Sequence, residues 1–290
     1  MVTYTSLDLQ NAHDYCLQIV RSHYENFPVA SLLLPPDLRQ SIAVIYAFAR
    51  TADDFADEGN HSAEKRLELL EAYRQKLNNL DNIAKDDLLF MAVHDVVKQY
   101  HLPIQLFQDL LTAFIQDVTK KRYNTFKEVL AYCANSANPV GRLLLHMTGH
   151  TSIQMLAYSD SICTSLQLIN FLQDIEQDLV ENNRIYIPTE DMEKFGVTEQ
   201  IIRDRVCDVK TSALFEQQVH RAKNLMLEGA TLGNLVPGRF GLQLRMMING
   251  GLQVLNLLEK SKENCFSRPR LRIPDWIKIA VYSVFKQTIR

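Results

Sequence analysis

Residues 41–59 read SIAVIYAFARTADDFADEG and change character halfway. From Ile42 through Ala49 every side of a helix would be apolar, so a helix over 37–57 belongs inside a bundle rather than on a surface. Its end then carries Asp53, Asp54, Asp57 and Glu58 with no lysine among them. Asp53 and Asp57 share a helix face with Cβ atoms about 5–6 Å apart, where like charges oppose helix formation. At ~6 Å and an effective dielectric of ~20 the repulsion is about 3 kcal/mol, far above the few tenths that a surface pair supplies. Acids at a helix C-terminus also oppose its dipole. Either this end is merely solvated, or a cation compensates it.

The rest of the chain gives the frame. With 290 residues and 47% hydrophobic content, roughly three quarters of the unfolded surface can be buried in one core. Only 10 glycines and 9 prolines interrupt long stretches with apolar residues at i, i+3, i+4 and i+7, the helical period. The pattern predicts an all-α fold with helices over 8–25, 37–57, 62–80, 84–100, 104–118, 125–149, 151–181, 189–195, 198–232, 238–262 and 274–288. No linker and no short-period repeat divides the chain, so residues 1–290 read as one domain. Thirty-one basic against 34 acidic residues, with no basic stripe interleaved with aromatics, exclude the electrostatic footprint of a nucleic-acid binder. The five cysteines are scattered, with no CxxC pair and no secretory leader, which predicts reduced thiols and a cytoplasmic location. No segment approaches the ~20 apolar residues of a spanning helix, so any membrane contact is peripheral.

A second acidic row repeats the first. In NFLQDIEQDLVENNRIYIP, residues 170–188, Asn170, Asp174 and Asp178 stand at i, i+4 and i+8. Over two turns that row rises ~12 Å and drifts only ~80° around the axis, so its oxygens address one groove. Two buried-looking helices with i,i+4 aspartate pairs are hard to read as solvated faces; two facing carboxylate rows make a magnesium cage. All-oxygen ligands select hard cations, and magnesium commonly completes its shell with substrate phosphates, so the implied ligand is a diphosphate. Arg50 and Arg184 follow or precede these rows and suit phosphate oxygens, or else form ordinary ion pairs.

These residues carry a resemblance. DDFAD and NFLQDIEQD, with the trailing NRIYIP, resemble the two aspartate-rich motifs of the squalene/phytoene synthase family. RSHYENFPVASLLLP, YAFARTADDFADEG and YCANSANPVGRLLL are similar to its hydroxysqualene synthase branch, from the bacterial hopanoid pathway. The resemblance implies an isoprenoid synthase helical bundle around a central apolar cavity. It places Asp53, Asp57, Asn170, Asp174 and Asp178 at metal positions, and His23, Tyr46, Arg50, Tyr132, Gln167 and Tyr186 at positions lining the diphosphate or cation site. His23 by itself reads as a structural histidine at a helix end.

The implied reaction is Mg²⁺-dependent ionisation of presqualene diphosphate, rearrangement and capture by water to give hydroxysqualene. Arg50 would steady the leaving diphosphate, while Tyr46, Tyr132 and Phe48 offer ring faces to the cation, Phe48 being better explained by core packing. In SANPVGR, Pro139 removes a backbone donor from the predicted helix over 125–149. The resulting kink either places Asn135 or Asn138 to orient the quenching water, or is a helix end capped by asparagine. An alternative reaction joins two farnesyl diphosphates head to head to presqualene diphosphate or squalene, the latter with NADPH; a non-catalytic scaffold is a third reading. Transient contact with the enzyme that supplies presqualene diphosphate is a further expectation. The tail SRPRLRIPDWIKIAVYSVF, residues 267–285, either closes the bundle with its arginines on the rim or docks on a membrane surface. Lys120 to Tyr123 form a small basic cluster, solvated or on the diphosphate rim.

Overall fold

The computed structural model describes residues 4–22, 36–261 and 264–289. Among them the regular structure is helical, apart from one isolated bridge between Arg122 and Ile185, as the 3.6-residue apolar period predicts. His23 lies outside the described residues. The residues group into two compact units, 1–119 with 142–151 and 120–141 with 152–290.

In the first unit, α1 (Ser6–Ser22), α2 (Pro36–Asp57), α3 (Ala63–Asn78), α4 (Leu88–Tyr100) and α5 (Ile104–Thr119) follow in order. Side-chain caps start several of them: Ser62 accepts from the Lys65 amide and Asp87 from the Phe90 amide, each satisfying a donor that a helix start leaves orphaned. α2 packs against α1, α3, α4 and α5, so its apolar body is covered from several sides. Ile42, Ala43, Val44, Ile45, Ala47 and Phe48 are buried. Phe48 sits among Tyr73, Phe107 and Phe90, with ring centroids at 5.0, 5.1 and 6.1 Å. That is the core-packing reading of Phe48.

The chain then forms α6 (Phe126–Ser136), α7 (Asn138–Met147), α8 (Ile153–Gln173), α9 (Ile175–Asn182) and α10 (Thr189–Phe195). It ends with α11 (Glu199–Arg203), α12 (Val209–Gly229), α13 (Leu232–Leu235), α14 (Gly238–Lys260) and α15 (Ile273–Val284). In the second unit α8 lies along α12, with α14 packed on both and α15 on α14.

Three predicted helices are broken where the sequence suggested continuity. The predicted 125–149 helix divides at Ala137, because Pro139 has no amide to donate one turn back and instead occupies the first turn of α7, where none is needed. The 151–181 helix breaks at Asp174 (φ −107°, ψ 11°). The 198–232 helix becomes α11, α12 and α13, with Arg205 at φ 54° and Asp208 capping the Thr211 amide. The expectation of reduced thiols is corrected at two of the five cysteines, while Cys16, Cys133 and Cys163 are free. Cys207 and Cys265, 58 residues apart, form a disulfide with Cα atoms at 5.9 Å. Folding brings the segment before α12 beside the segment before α15, with Phe215 and Phe266 in ring contact at 5.2 Å, a pairing no local spacing announces. Among the described residues no helix is long and apolar enough to cross a membrane.

α8 and α12 approach closely because Gly229 has no side chain: a Cβ there would lie 2.5 Å from the Tyr158 carbonyl oxygen and 2.6 Å from Ile162. Nearby, the buried Ser165 hydroxyl donates to the Ala222 carbonyl at 2.6 Å. Gly229→Ala should force the two helices apart and cost about 1–3 kcal/mol, the usual range for overpacking. Denaturant unfolding of the full chain reads this directly, and unchanged stability would show that the close approach is not required.

Candidate active site

The first acidic row is held by two guanidinium groups. Arg50 lies on α2 and pairs with Asp53 at 3.3 Å, with Asp54 at 2.8 Å and with Glu58. Arg66 on α3 donates to the carbonyls of Phe55 at 3.3 Å, Glu58 at 3.0 Å and Gly59 at 2.8 Å, capping the end of α2 where the dipole is negative. Gly59, at φ 73°, makes the turn that frees those carbonyls. Asp54 and Glu58 are thus engaged one step round the helix from Asp53 and Asp57.

Asp53 remains the strained member. Burial pushes its carboxyl up to about 7, Asp57 adds to the shift, Arg50 opposes it, and Asp117 and Asp54 raise it further. The Asp53 side chain keeps 41% of its surface exposed, so water screens part of this effect; the direction stands because carboxylates outnumber cations around it. Asp117, on α5, is the residue that sequence reasoning missed. It is buried, and it continues a stripe made by Leu106, Leu110 and Ala113, which was the available signal: an acid at an apolar position of the helical period. Tyr46, half-buried, stands one turn before Arg50 on α2.

The second row survives the break at Asp174. The Asp174 amide donates to the Asn170 carbonyl at 2.9 Å, and the Asp178 amide to the Asp174 carbonyl at 2.8 Å. The i,i+4 register therefore persists through the kink, with Gln167 one turn before Asn170. Asn183, at φ 50°, ends α9, and the Arg184 amide donates to the Asp178 carbonyl at 3.0 Å. Asp174 pairs with Arg268 at 2.8 Å, so one of the tail arginines reaches the acidic row.

Behind this row lies an aromatic cluster. Tyr186 stacks on Phe171 with centroids at 3.6 Å and on Tyr123 at 5.4 Å, and Tyr132 meets Tyr186 at 5.5 Å and Tyr123 at 5.7 Å. All four rings are buried. The Arg184 guanidinium, 3% exposed, donates to the Tyr186 hydroxyl at 3.1 Å. The segment bearing Tyr186 is tied to the basic cluster: the Ile185 amide donates to the Lys121 carbonyl and the Thr189 amide to the Tyr123 carbonyl. Lys120 pairs with Glu128 at 2.7 Å and Arg122 with Glu199 at 2.6 Å. Both side chains thus have acidic partners within their own unit.

The helix break at SANPVGR orders its polar groups differently from one another. Asn138, buried at the start of α7, accepts at Oδ1 from the Thr164 hydroxyl at 2.9 Å. That atom is committed to joining α7 and α8. The Ser136 hydroxyl is buried with no hydrogen-bond partner among the described residues, so it holds the unused polar capacity at this break.

Among the described residues no three histidine, cysteine or acidic side chains are grouped closely enough to hold a metal ion, so the fit to a hard divalent cation rests on donor chemistry alone. The donors are oxygen only, and burial together with the neighbouring carboxylates raises the Asp53 carboxyl. Arg268 pairs with Asp174, and a metal bound there would have to compete with it. Arg268→Ala should therefore tighten Mn²⁺ or Mg²⁺ binding, by up to about fivefold for a partly exposed pair worth ~0–1 kcal/mol. Calorimetric metal titration checks this, and weaker binding would mean that Arg268 supports the site rather than competing within it.

The squalene/phytoene synthase family model matches residues 20–276, which takes in residues of both units. A 174-residue segment is 39% identical to hydroxysqualene synthase of Zymomonas mobilis, covering 60% of this chain and 58% of that protein. The match thus spans somewhat under two thirds of that relative's length. 15-cis-Phytoene synthase of Synechococcus elongatus is 28% identical over 93% of this chain and 91% of its own. Among solved structures, squalene synthase HpnC from Alicyclobacillus acidocaldarius superposes with a TM-score of 0.83 at 35% identity, covering 90% of this chain and 97% of that one. A dehydrosqualene synthase gives a TM-score of 0.80 at 23% identity, a likeness of fold. The motifs, the all-helical architecture and the extent of the match agree, and the chain belongs to the squalene/phytoene synthase family.

Proposed function

We propose that the chain ionises presqualene diphosphate in a Mg²⁺-dependent reaction and captures the rearranged cation with water, releasing hydroxysqualene and diphosphate within hopanoid and squalene biosynthesis. The observation that carries the reading is the burial of Asp53 with Asp57, Asp117 and Asp54 clustered around it, which raises its carboxyl and which a bound cation would relieve. The similarity to hydroxysqualene synthase supports the choice of product.

By the motif resemblance, Asp53 and Asp57 on α2 would serve as metal ligands, and so would Asn170, Asp174 and Asp178 on α8 and α9. When bound, magnesium supplies Lewis-acid charge to the diphosphate oxygens, worth several kcal/mol in a poorly hydrated site. Arg50 and Arg184 neutralise the leaving group as the C–O bond breaks and its electron pair stays with the bridging oxygen. His23 and Gln167 complete the contacts to substrate. Tyr46, Tyr132 and Tyr186 present ring faces that stabilise the carbocation by ~0.5–2 kcal/mol each without forming a bond to it. Water then adds through oxygen and loses a proton to solvent, so carbon is neither oxidised nor reduced overall and NADPH is not consumed. Asn138, whose Oδ1 holds α7 against α8, or Asn135 would orient that water through its side-chain amide, and the hydroxyl of Ser136 is a further candidate.

The likeness to 15-cis-phytoene synthase over most of the chain favours one other reading, head-to-head condensation of two farnesyl diphosphates. Incubation of the purified chain with Mg²⁺ and presqualene diphosphate, without NADPH, separates the two. Hydroxysqualene is the expected product; untouched presqualene diphosphate, together with its formation from farnesyl diphosphate, would select the condensation. Asn138→Ala should shift the product toward other alcohols or eliminated hydrocarbons, and an unchanged profile would remove Asn138 from the water-capturing step.

A further inference from the structure

α15 packs on α14 with one edge only. Ile279 and Ser283 are fully buried. Arg245 Nε donates to the Ser283 carbonyl at 2.7 Å, Asn249 to the Ser283 hydroxyl at 3.0 Å, and Gln253 to Asp275 at 2.7 Å. The N-terminus is fixed as well, since the Arg272 amide donates to Asp275 at 2.8 Å. The helix is therefore held in place by a polar seam rather than by its apolar side. That side faces outward: Ile273, Trp276, Ile277, Val281, Val284 and Phe285 are 47–77% exposed. Large apolar side chains exposed singly are ordinary, but six on one twelve-residue helix and its C-cap form a patch of the kind that marks an interaction surface.

Charge identifies the occupant. Between Asn264 and Ile289 the sequence has five basic residues and one acid, within a chain whose net charge is −3. Arg270 and Arg272 are exposed just before the helix, and Lys286 just after it. Asp275, the one acid, is already engaged with Gln253 and the Arg272 amide. An apolar face with basic residues at both ends and an aromatic pair in the face suits the boundary between lipid headgroups and acyl chains. A second copy of the chain suits it less well. In an isologous pairing of α15 with itself, antiparallel helices would bring Arg270 and Arg272 against Lys286, and parallel helices would bring like ends together. Either arrangement sets basic groups against basic groups.

We propose that the outward face of α15 docks the protein on an anionic lipid surface, with Ile273, Trp276, Ile277, Val281, Val284 and Phe285 in the headgroup boundary and Arg270, Arg272 and Lys286 on the anionic headgroups. The surface is read from exposure and charge and does not rest on the substrate assigned above. Trp276 is the sole tryptophan, so its emission reports on this face alone. The full chain is titrated with vesicles of phosphatidylcholine mixed with phosphatidylglycerol, and with phosphatidylcholine alone. The expected result is a shift to shorter wavelength and co-sedimentation with the anionic vesicles. Ile277→Glu with Val281→Glu should abolish both, and Arg270→Glu with Arg272→Glu should weaken binding at least about tenfold. All four substitutions are at exposed positions, and circular dichroism verifies folding. No shift with anionic vesicles, or equal binding by the Ile277→Glu/Val281→Glu variant, overturns the proposal. Equal shifts with both vesicle types overturn the choice of an anionic surface. A shift that grows with protein concentration in the absence of lipid assigns the face to a second copy and overturns it as well.

Discussion

Carboxylates crowded at the C-terminus of a buried helix repel one another and oppose that helix's dipole. The residues near the end of α2 are arranged against this penalty. Arg50 sits inside the helix, where it reaches Asp53, Asp54 and Glu58, and Arg66 arrives from α3 to cap the last carbonyls. These contacts engage the outer acids, while burial and the neighbouring carboxylates of Asp57, Asp117 and Asp54 still raise the Asp53 carboxyl. A protein that needed only a stable helix end would place a lysine or a neutral side chain there. Retaining the acids makes sense when a divalent cation and its anionic substrate belong to the working state.

The second row shows the same economy in a different way. Its register is carried through the kink at Asp174 by unbroken backbone hydrogen bonds, so Asn170, Asp174 and Asp178 keep their spacing although α8 and α9 are separate helices. Immediately beyond, Arg184 and Tyr186 fold back onto Tyr123, Tyr132 and Phe171. A buried guanidinium and a set of ring faces are thereby gathered around one short segment. The loop that carries Arg268 to Asp174 also carries Arg270 and Arg272 toward the exposed face of α15. One stretch of chain thus connects the acidic row to the surface proposed to meet lipid.

What was legible in the sequence was local. The extent of α2 follows from an apolar run bounded by prolines and acids, and the two carboxylate rows follow from i,i+4 spacing within single segments. The breaks were harder to see. Pro139 announced a bend, but whether a proline kinks a helix or divides it depends on neighbouring packing such as the Asn138–Thr164 hydrogen bond. Asp174 carries no breaker signal, since the hydrogen-bond pattern passes through it. Asp117 was hidden because one acid in an apolar stripe resembles an ordinary boundary residue. Contacts of long sequence separation, among them Arg268 with Asp174 and Cys207 with Cys265, exist only once the helices have packed. The tail was ambiguous for a related reason: the same amphipathic pattern serves to close a bundle or to meet a membrane, and α15 uses its polar edge for the first while its apolar face remains outward.

The central claim is that both acidic rows are built for a divalent cation that brings a diphosphate with it. Calorimetric titration of Mg²⁺ into the full chain in the presence of inorganic diphosphate tests it without depending on which prenyl substrate is turned over. Saturable binding by the unaltered chain, weakened at least about tenfold by Asp53→Asn and separately by Asp174→Asn with helicity retained, is the predicted result. Equal binding by all three proteins would contradict the account.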